Sequence, residues 1–200
     1  SFNFPLICVG NLAVGGTGKS PMVEYLIELL NPDFKIGTLS RGYKRKTKGY
    51  ALANQQSTAL DIGDEPMQFP SKFPHIAVAS CEERIVGIPQ LLQDVPGLQA
   101  IILDDAFQHR TVRAGLNILL TEWNNLYSHD FFLPTGDLRD EWVSAKRAEV
   151  IIVTKCPYNL SPEMKQKIIR SLPPEAVQKI FFTTIESGNP NTIFNQSDER

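Results

Sequence analysis

The stretch GNLAVGGTGKSP, Gly10 to Pro21, decides the fold, because an apolar, strand-like run precedes it and an apolar helical pattern follows it. A glycine-rich turn between a strand and a helix is a phosphate cradle. Backbone N–H groups can wrap anionic oxygens only where no side chain blocks the approach, and Gly15, Gly16 and Gly18 leave that space. Lys19 would set an ammonium against the outer phosphates of a nucleotide, and the Ser20 hydroxyl would ligate a magnesium ion bridging them. The candidate nucleotide-binding set is therefore Val14, Gly15, Gly16, Thr17, Gly18, Lys19 and Ser20. The strict pattern asks for glycine at position 13, where this chain has Ala13, so the motif is the GGTGKS variant. The competing reading is an ordinary strand-to-helix turn. Val14 carries separate information: ATPases that position or transport cargo often hold a lysine there, so its absence weakens an analogy to dimerising switch ATPases.

Composition bounds the remaining possibilities. Two hundred residues, 42% of them hydrophobic, suffice for one packed α/β domain and fall short of two. A net charge of -2 gives no global pull toward nucleic acid, so an anionic ligand must be met by local basic clusters. Cys8, Cys81 and Cys156 are odd in number and widely spaced, unlike a disulfide framework or a zinc site, and fit a reducing compartment. No apolar run approaches the ~18 residues that would cross a bilayer, so this stretch of chain is expected to be soluble. It starts without a methionine and ends on the polar GNPNTIFNQSDER, and so reads as a segment of a longer protein.

Apolar runs of strand length alternate with helical stretches, the pattern of a mostly parallel sheet covered on both faces. Strands are expected over Phe4 to Val9, Lys35 to Leu39, His75 to Ala79, Ala100 to Leu103, Asn117 to Thr121, Val150 to Thr154 and Lys179 to Thr184. Helices are expected over Lys19 to Leu30, Cys81 to Leu92, Glu141 to Ala148 and Pro162 to Ser171, the last capped by Ser161. Ser40 to Phe73 reads as a long functional loop of little periodicity.

Four further segments carry chemistry. ILDDAFQHR, Ile101 to Arg110, sets Asp104 and Asp105 at the carboxyl edge of a strand, where ligands bind in an open α/β sheet. An acid there can hold the metal's water shell opposite Ser20, with Gln108, His109 and Arg110 crowded on the same edge. IGDEPMQFP reads as a turn offering Asp64 and Glu65, the proline biasing Glu65 toward extended backbone. A hydroxyl acceptor needs a carboxylate to take its proton, and Asp64 is the leading candidate. Arg41 and Tyr43 open the basic loop SRGYKRKTKGY, and Arg139 in FFLPTGDLRDE could offer a planar fork to phosphate oxygens or pair with an acid at a helix start.

In this order, VGNLAVGGTGKSP, LSRGYKRKTKG, GDEPMQF, DDAFQHR and FLPTGDLRD resemble the tetraacyldisaccharide 4'-kinase family of P-loop NTPases, over Val9 to about Lys155. The resemblance implies a three-layer α/β/α fold and transfer of the ATP γ-phosphate to the 4'-hydroxyl of a tetraacyldisaccharide 1-phosphate, giving lipid IVA. It implies ATP and Mg²⁺, a monomer, and peripheral attachment at the cytoplasmic face of the inner membrane of Gram-negative bacteria. Carried onto this chain, it makes Asp64 the acid acting on the acceptor hydroxyl, Lys19 the phosphate group, Ser20 and Asp104 metal-side groups with Asp105 beside them, and Gln108, His109 and Arg139 neighbours of the active site. The family also has an N-terminal membrane-seated helix and a smaller second lobe, which brings a histidine to the catalytic aspartate. Residues 1–184 are then the kinase core and residues 185–200 the start of a linker to that lobe, and the 200-residue chain is expected to have little activity alone.

Two other classes compete. A P-loop ATPase switch would hydrolyse ATP with no acceptor, and Val14 counts against it. A GTPase would read guanine with Asn and Asp near VTK, Val153 to Lys155, and neither is there.

Overall fold

The computed structural model of the chain describes residues 2–109, 111–172 and 177–186. Eight strands form one sheet: β1 (Leu6–Asn11), β2 (Ile36–Ser40), β3 (Ala51–Leu52), β4 (Ala77–Ser80), β5 (Ala100–Asp104), β6 (Leu116–Glu122), β7 (Val150–Thr154) and β8 (Lys179–Phe182). Their order is β3-β4-β2-β5-β1-β6-β7-β8, parallel throughout except for β3, which runs antiparallel to β4. Parallel strands need crossovers that bury both faces of the sheet, and β2 and β5 accordingly consist of buried residues along their whole length.

Helices α1 (Lys19–Leu30), α2 (Ala59–Ile62) and α3 (Asp64–Lys72) cover one face, and α4 (Arg84–Asp94) and α5 (Pro162–Ser171) the other. On the first face Met22, Val23, Leu26 and Ile27 of α1 and Phe69 of α3 pack with Val9, Ile36, Val78 and Ile102. On the second, Ile88 and Leu91 of α4 and Ile168 of α5 join Leu39, Ile101, Leu103 and Ile151. The molecule is therefore the expected three-layer α/β/α arrangement. The expected Ser161 cap of α5 is present, its hydroxyl accepting from the Met164 N–H at 3.2 Å.

The stretch from Ser40 to Phe73 is not the structureless loop that its weak periodicity implied. It holds β3, α2 and α3. Thr58 starts α2 through a capping box with Asp61, and Gly63, at φ 104°, breaks the chain so that α3 restarts at Asp64. Glu65 is accordingly helical and not extended. Pro66 sits in the first turn of α3, where its missing N–H is not needed, and this outweighs the bias that proline places on its predecessor. The helix expected from Cys81 starts three residues later, at Arg84. Glu141 to Ala148 forms a 3₁₀ helix, Trp142–Arg147, in place of an α-helix. The final strand stops at Phe182. Arg110, and the proposed linker from residue 187 on, lie outside the described residues.

Candidate active site

The phosphate-loop strand β1 lies between β5 and β6, so its carboxyl end and the acids ending β5 are neighbours, with Val9 in register with Asp104. From Asn11 the chain turns through Val14, Gly15 and Gly16, all exposed, and enters α1 at Lys19. Gly18 holds φ 85°, the left-handed conformation that lets the loop close onto the helix. A Cβ built on Gly15 or Gly16 would meet nothing within 4 Å, so the loop encloses open space at the positive end of a twelve-residue helix. Thr17 fastens the loop from below. Its hydroxyl accepts from Asn11 Nδ2 at 2.8 Å, and its carbonyl accepts from the Thr154 hydroxyl, at the end of β7, at 2.9 Å.

Asn11 is the hub of the site. Fully buried at the end of β1, it accepts at Oδ1 from Lys19 Nζ at 3.4 Å and from Arg139 Nη2 at 2.6 Å, and its carbonyl accepts from Gln108 Nε2 at 2.6 Å. Arg139 arrives from the segment after β6, which clips onto the phosphate loop through Val14 N–H to the Asp137 carbonyl at 2.7 Å and Arg139 N–H to the Leu12 carbonyl at 2.8 Å. Its guanidinium grips both oxygens of Asp105, and Lys19 Nζ stands 3.7 Å from the same carboxylate. Arg139 therefore takes the acid-pairing alternative.

The two adjacent aspartates differ sharply. Burial alone would raise the Asp105 carboxyl, but the hydrogen bonds from Arg139 and the charges of Lys19 and Arg139 hold it below its ordinary value. Asp104 is buried, and its Oδ1 has no hydrogen-bond partner. Burial pushes it up to about 7, helped by the charges of Asp105 and Glu65 and opposed by Lys19 and Arg84. His109, half-buried on the same edge, is held below its ordinary pKa by burial and then by Arg84 and Arg41, which favours its neutral form.

Asp64 is exposed at the start of α3, and the charge of its neighbour Glu65 reaches Asp104. The basic loop after β2 braces this turn: Lys46 N–H donates to the Leu60 carbonyl at 2.8 Å, and Gly42 packs against Gly63. Arg45 of that loop is spent on structure, paired with Glu82 at 2.7 Å. An apolar groove of about 610 Å³ opens from Gly18 between α1 and the ends of β7 and β8, lined by Pro21, Met22, Tyr25, Thr154 and Phe182 among others.

Sequence reading missed three members of the site: Asn11, Thr154 and the buried Arg84. The available signal was polarity at the last position of an apolar strand, which applies to Asn11 and Thr154.

The comparisons with known proteins agree with this geometry. The family described as tetraacyldisaccharide-1-P 4'-kinase matches residues 1–195. The tetraacyldisaccharide 4'-kinase of Flavobacterium johnsoniae is 53% identical over 186 residues, 93% of this chain and 55% of that protein. That of Bacteroides fragilis is 49% identical over 195 residues, 97% of this chain and 52% of that protein, so the chain spans about half the length of these curated relatives. Among solved structures, LpxK from Aquifex aeolicus in complex with ATP superposes with a TM-score of 0.70 at 29% identity, covering 92% of this chain and 72% of that one. The signal recognition particle 54 kDa protein of Aeropyrum pernix, in complex with GDP, shares the fold alone, at TM-score 0.51 and 12% identity over 92% of this chain and 43% of its own. With the motifs in place on the sheet edge and the match running nearly end to end, the chain belongs to the tetraacyldisaccharide-1-P 4'-kinase family.

Proposed function

We propose that the chain is the nucleotide-binding core of a kinase that transfers the γ-phosphate of ATP to the 4'-hydroxyl of a tetraacyldisaccharide 1-phosphate, giving lipid IVA in lipid A biosynthesis. The observation that carries this reading is the convergence of Lys19 with Asp104 and Asp105 at the carboxyl ends of the adjacent strands β1 and β5. Family membership supplies the acceptor. The open phosphate loop and the ATP bound in the Aquifex relative support ATP as donor. The apolar groove running off Gly18 is placed to take the nucleoside.

The residues present fit a magnesium ion. Asp104 Oδ1 is a buried acceptor with no partner, and Ser20 stands in the first turn of α1, directly after the phosphate loop. No cluster of three or more His, Cys, Asp or Glu able to hold a metal occurs among the described residues. A nucleotide-borne ion needs few protein ligands, because phosphate oxygens and water complete its shell. When bound, the ion neutralises charge on the outer phosphates.

Phosphoryl transfer passes through a loose transition state, so the chain's work is positioning and charge neutralisation. Lys19 and the N–H groups of the loop hold the phosphates. Arg139 and Asn11 fix Asp105 and Lys19 in one network. Asp64 takes the proton of the acceptor hydroxyl as its oxygen bonds to phosphorus and ADP leaves. The relatives carry nearly as much chain again beyond the matched part, and in them a second lobe would close over Asp64 and bring it a histidine partner. The 200-residue core alone would then bind nucleotide and turn over poorly. No helix among the described residues is long and apolar enough to cross a membrane. Because its acceptor is a lipid, we place the enzyme peripherally at the cytoplasmic face of the inner membrane, and we take it to act as a monomer.

Incubating the full-length protein with γ-labelled ATP and the lipid in detergent micelles tests this. Label on the 4'-oxygen supports it. ATP hydrolysis with unlabelled lipid would point to the switch ATPase.

A further inference from the structure

Arg84 contradicts the rules of stable folding at three points. It is fully buried, it sits at the first position of α4 where the helix dipole repels a cation, and no carboxylate forms an ion pair with it among the described residues. Its guanidinium is spent on two backbone carbonyls, that of Cys81 at 2.7 Å and that of Asp104 at 2.9 Å. Its Nε has no partner. Cys81 follows β4 and Asp104 ends β5, and β2 lies between them, so the side chain staples two strand ends across a third.

The stapled carbonyl is a consequential one. It belongs to the peptide joining Asp104 to Asp105, and Asp105 adopts φ 47°, a left-handed conformation that is unfavourable for a non-glycine residue. Holding that peptide sets the direction in which each carboxylate leaves the strand. Asp105 is thereby aimed at Lys19 and Arg139, and Asp104 is left below with a free oxygen. A buried, costly cation retained where an apolar side chain would pack is expected where function overrides stability.

We propose that Arg84 is the positioning residue of the metal-side acid pair: it orients the Asp104–Asp105 peptide so that the site accepts a magnesium-bound nucleotide. The inference rests on the kinase reading of this site.

The test measures nucleotide affinity of the full-length protein by calorimetry, with magnesium and with EDTA, for wild type, Arg84→Met and Arg84→Lys, with thermal melting as the check of folding. Arg84→Met should lose tenfold or more in affinity for the magnesium complex while its affinity in EDTA stays within about twofold of wild type. Arg84→Lys, which keeps the charge and some of the donors, should recover part of the loss. If Arg84→Met does not fold, Arg84→Lys decides alone, by a selective loss confined to the magnesium complex. Equal losses with and without magnesium, or no loss, would overturn the proposal. Wild-type protein indifferent to magnesium would instead overturn the kinase reading beneath it.

Discussion

Arg139 and Asp105, 34 residues apart, form a two-pronged pair: Nη1 meets Oδ2 at 3.1 Å, and Nη2 meets Oδ1 while also reaching Asn11. The pair joins the segment after β6 to the end of β5 directly beside the phosphate loop. Geometry of this kind belongs to the planar guanidinium, and a lysine cannot reproduce it. Arg139→Lys should therefore lower turnover by about 10- to 100-fold despite keeping the charge. Because the two residues share this contact, the losses from Arg139→Lys and Asp105→Asn should be less than additive in the double variant, and a double-mutant cycle on kcat/KM measures that coupling.

Lys19, the first residue of α1 after the open loop, approaches both Asp105 and Asn11. Lys19→Ala removes a preorganised charge, and such losses typically cost on the order of 100- to 1000-fold in rate. Steady-state kinetics should show that fall in kcat together with weakened nucleotide binding.

Asp104 makes a pH-dependent prediction with a definite sign. Burial raises its folded pKa from 3.8 to about 7, so between those values the folded state holds a proton that the unfolded state has released. Stability from this group therefore falls as pH rises through that window and is lowest above 7. Asp104→Asn removes the penalty. In metal-free buffer its melting temperature should match wild type near pH 4 and exceed it by several degrees at pH 8, while its activity is lost. A constant difference across pH would contradict the account.

Gly63 separates α2 from α3 at φ 104°, and a Cβ there would lie 2.9 Å from Gly42 Cα. Gly63→Ala should cost about 2 kcal/mol in denaturant unfolding, since it is strained and also pushes the basic loop away. Turnover should fall as well, because Asp64 is the next residue. Gly49→Ala, strained at φ 77° but with nothing within 4 Å of its Cβ, is the control and should cost less.

Much of this architecture was legible because it is periodic. The strands of the parallel sheet are short apolar runs, and α1 carries an unbroken stripe of Met22, Val23, Leu26 and Ile27. Between Ser40 and Phe73 the signal failed. The helices there are short and bury few residues, among them Ile62, Pro66 and Phe69, so their order comes from the Thr58 cap and the Gly63 break. At the site, the phosphate loop and the acid pair were readable as local motifs, and Arg139 as a candidate near them. Asn11 and Arg84 were not, because their roles are long-range: Asn11 meets Arg139 across 128 positions and Arg84 reaches Asp104 across 20. No spacing rule foresees a charged side chain buried under a strand end.

In the proposed reaction, ATP consumption is coupled to a hydroxyl acceptor through Asp64. The most direct measurement is the ratio of phosphorylated lipid formed to ATP consumed by the full-length protein, with and without the tetraacyldisaccharide 1-phosphate, for wild type and Asp64→Ala. The account predicts one product per ATP, negligible ATP consumption without the lipid, and in Asp64→Ala a large loss of turnover with nucleotide binding intact. ATP consumption that proceeds equally well without the lipid and yields no phosphorylated product would contradict it.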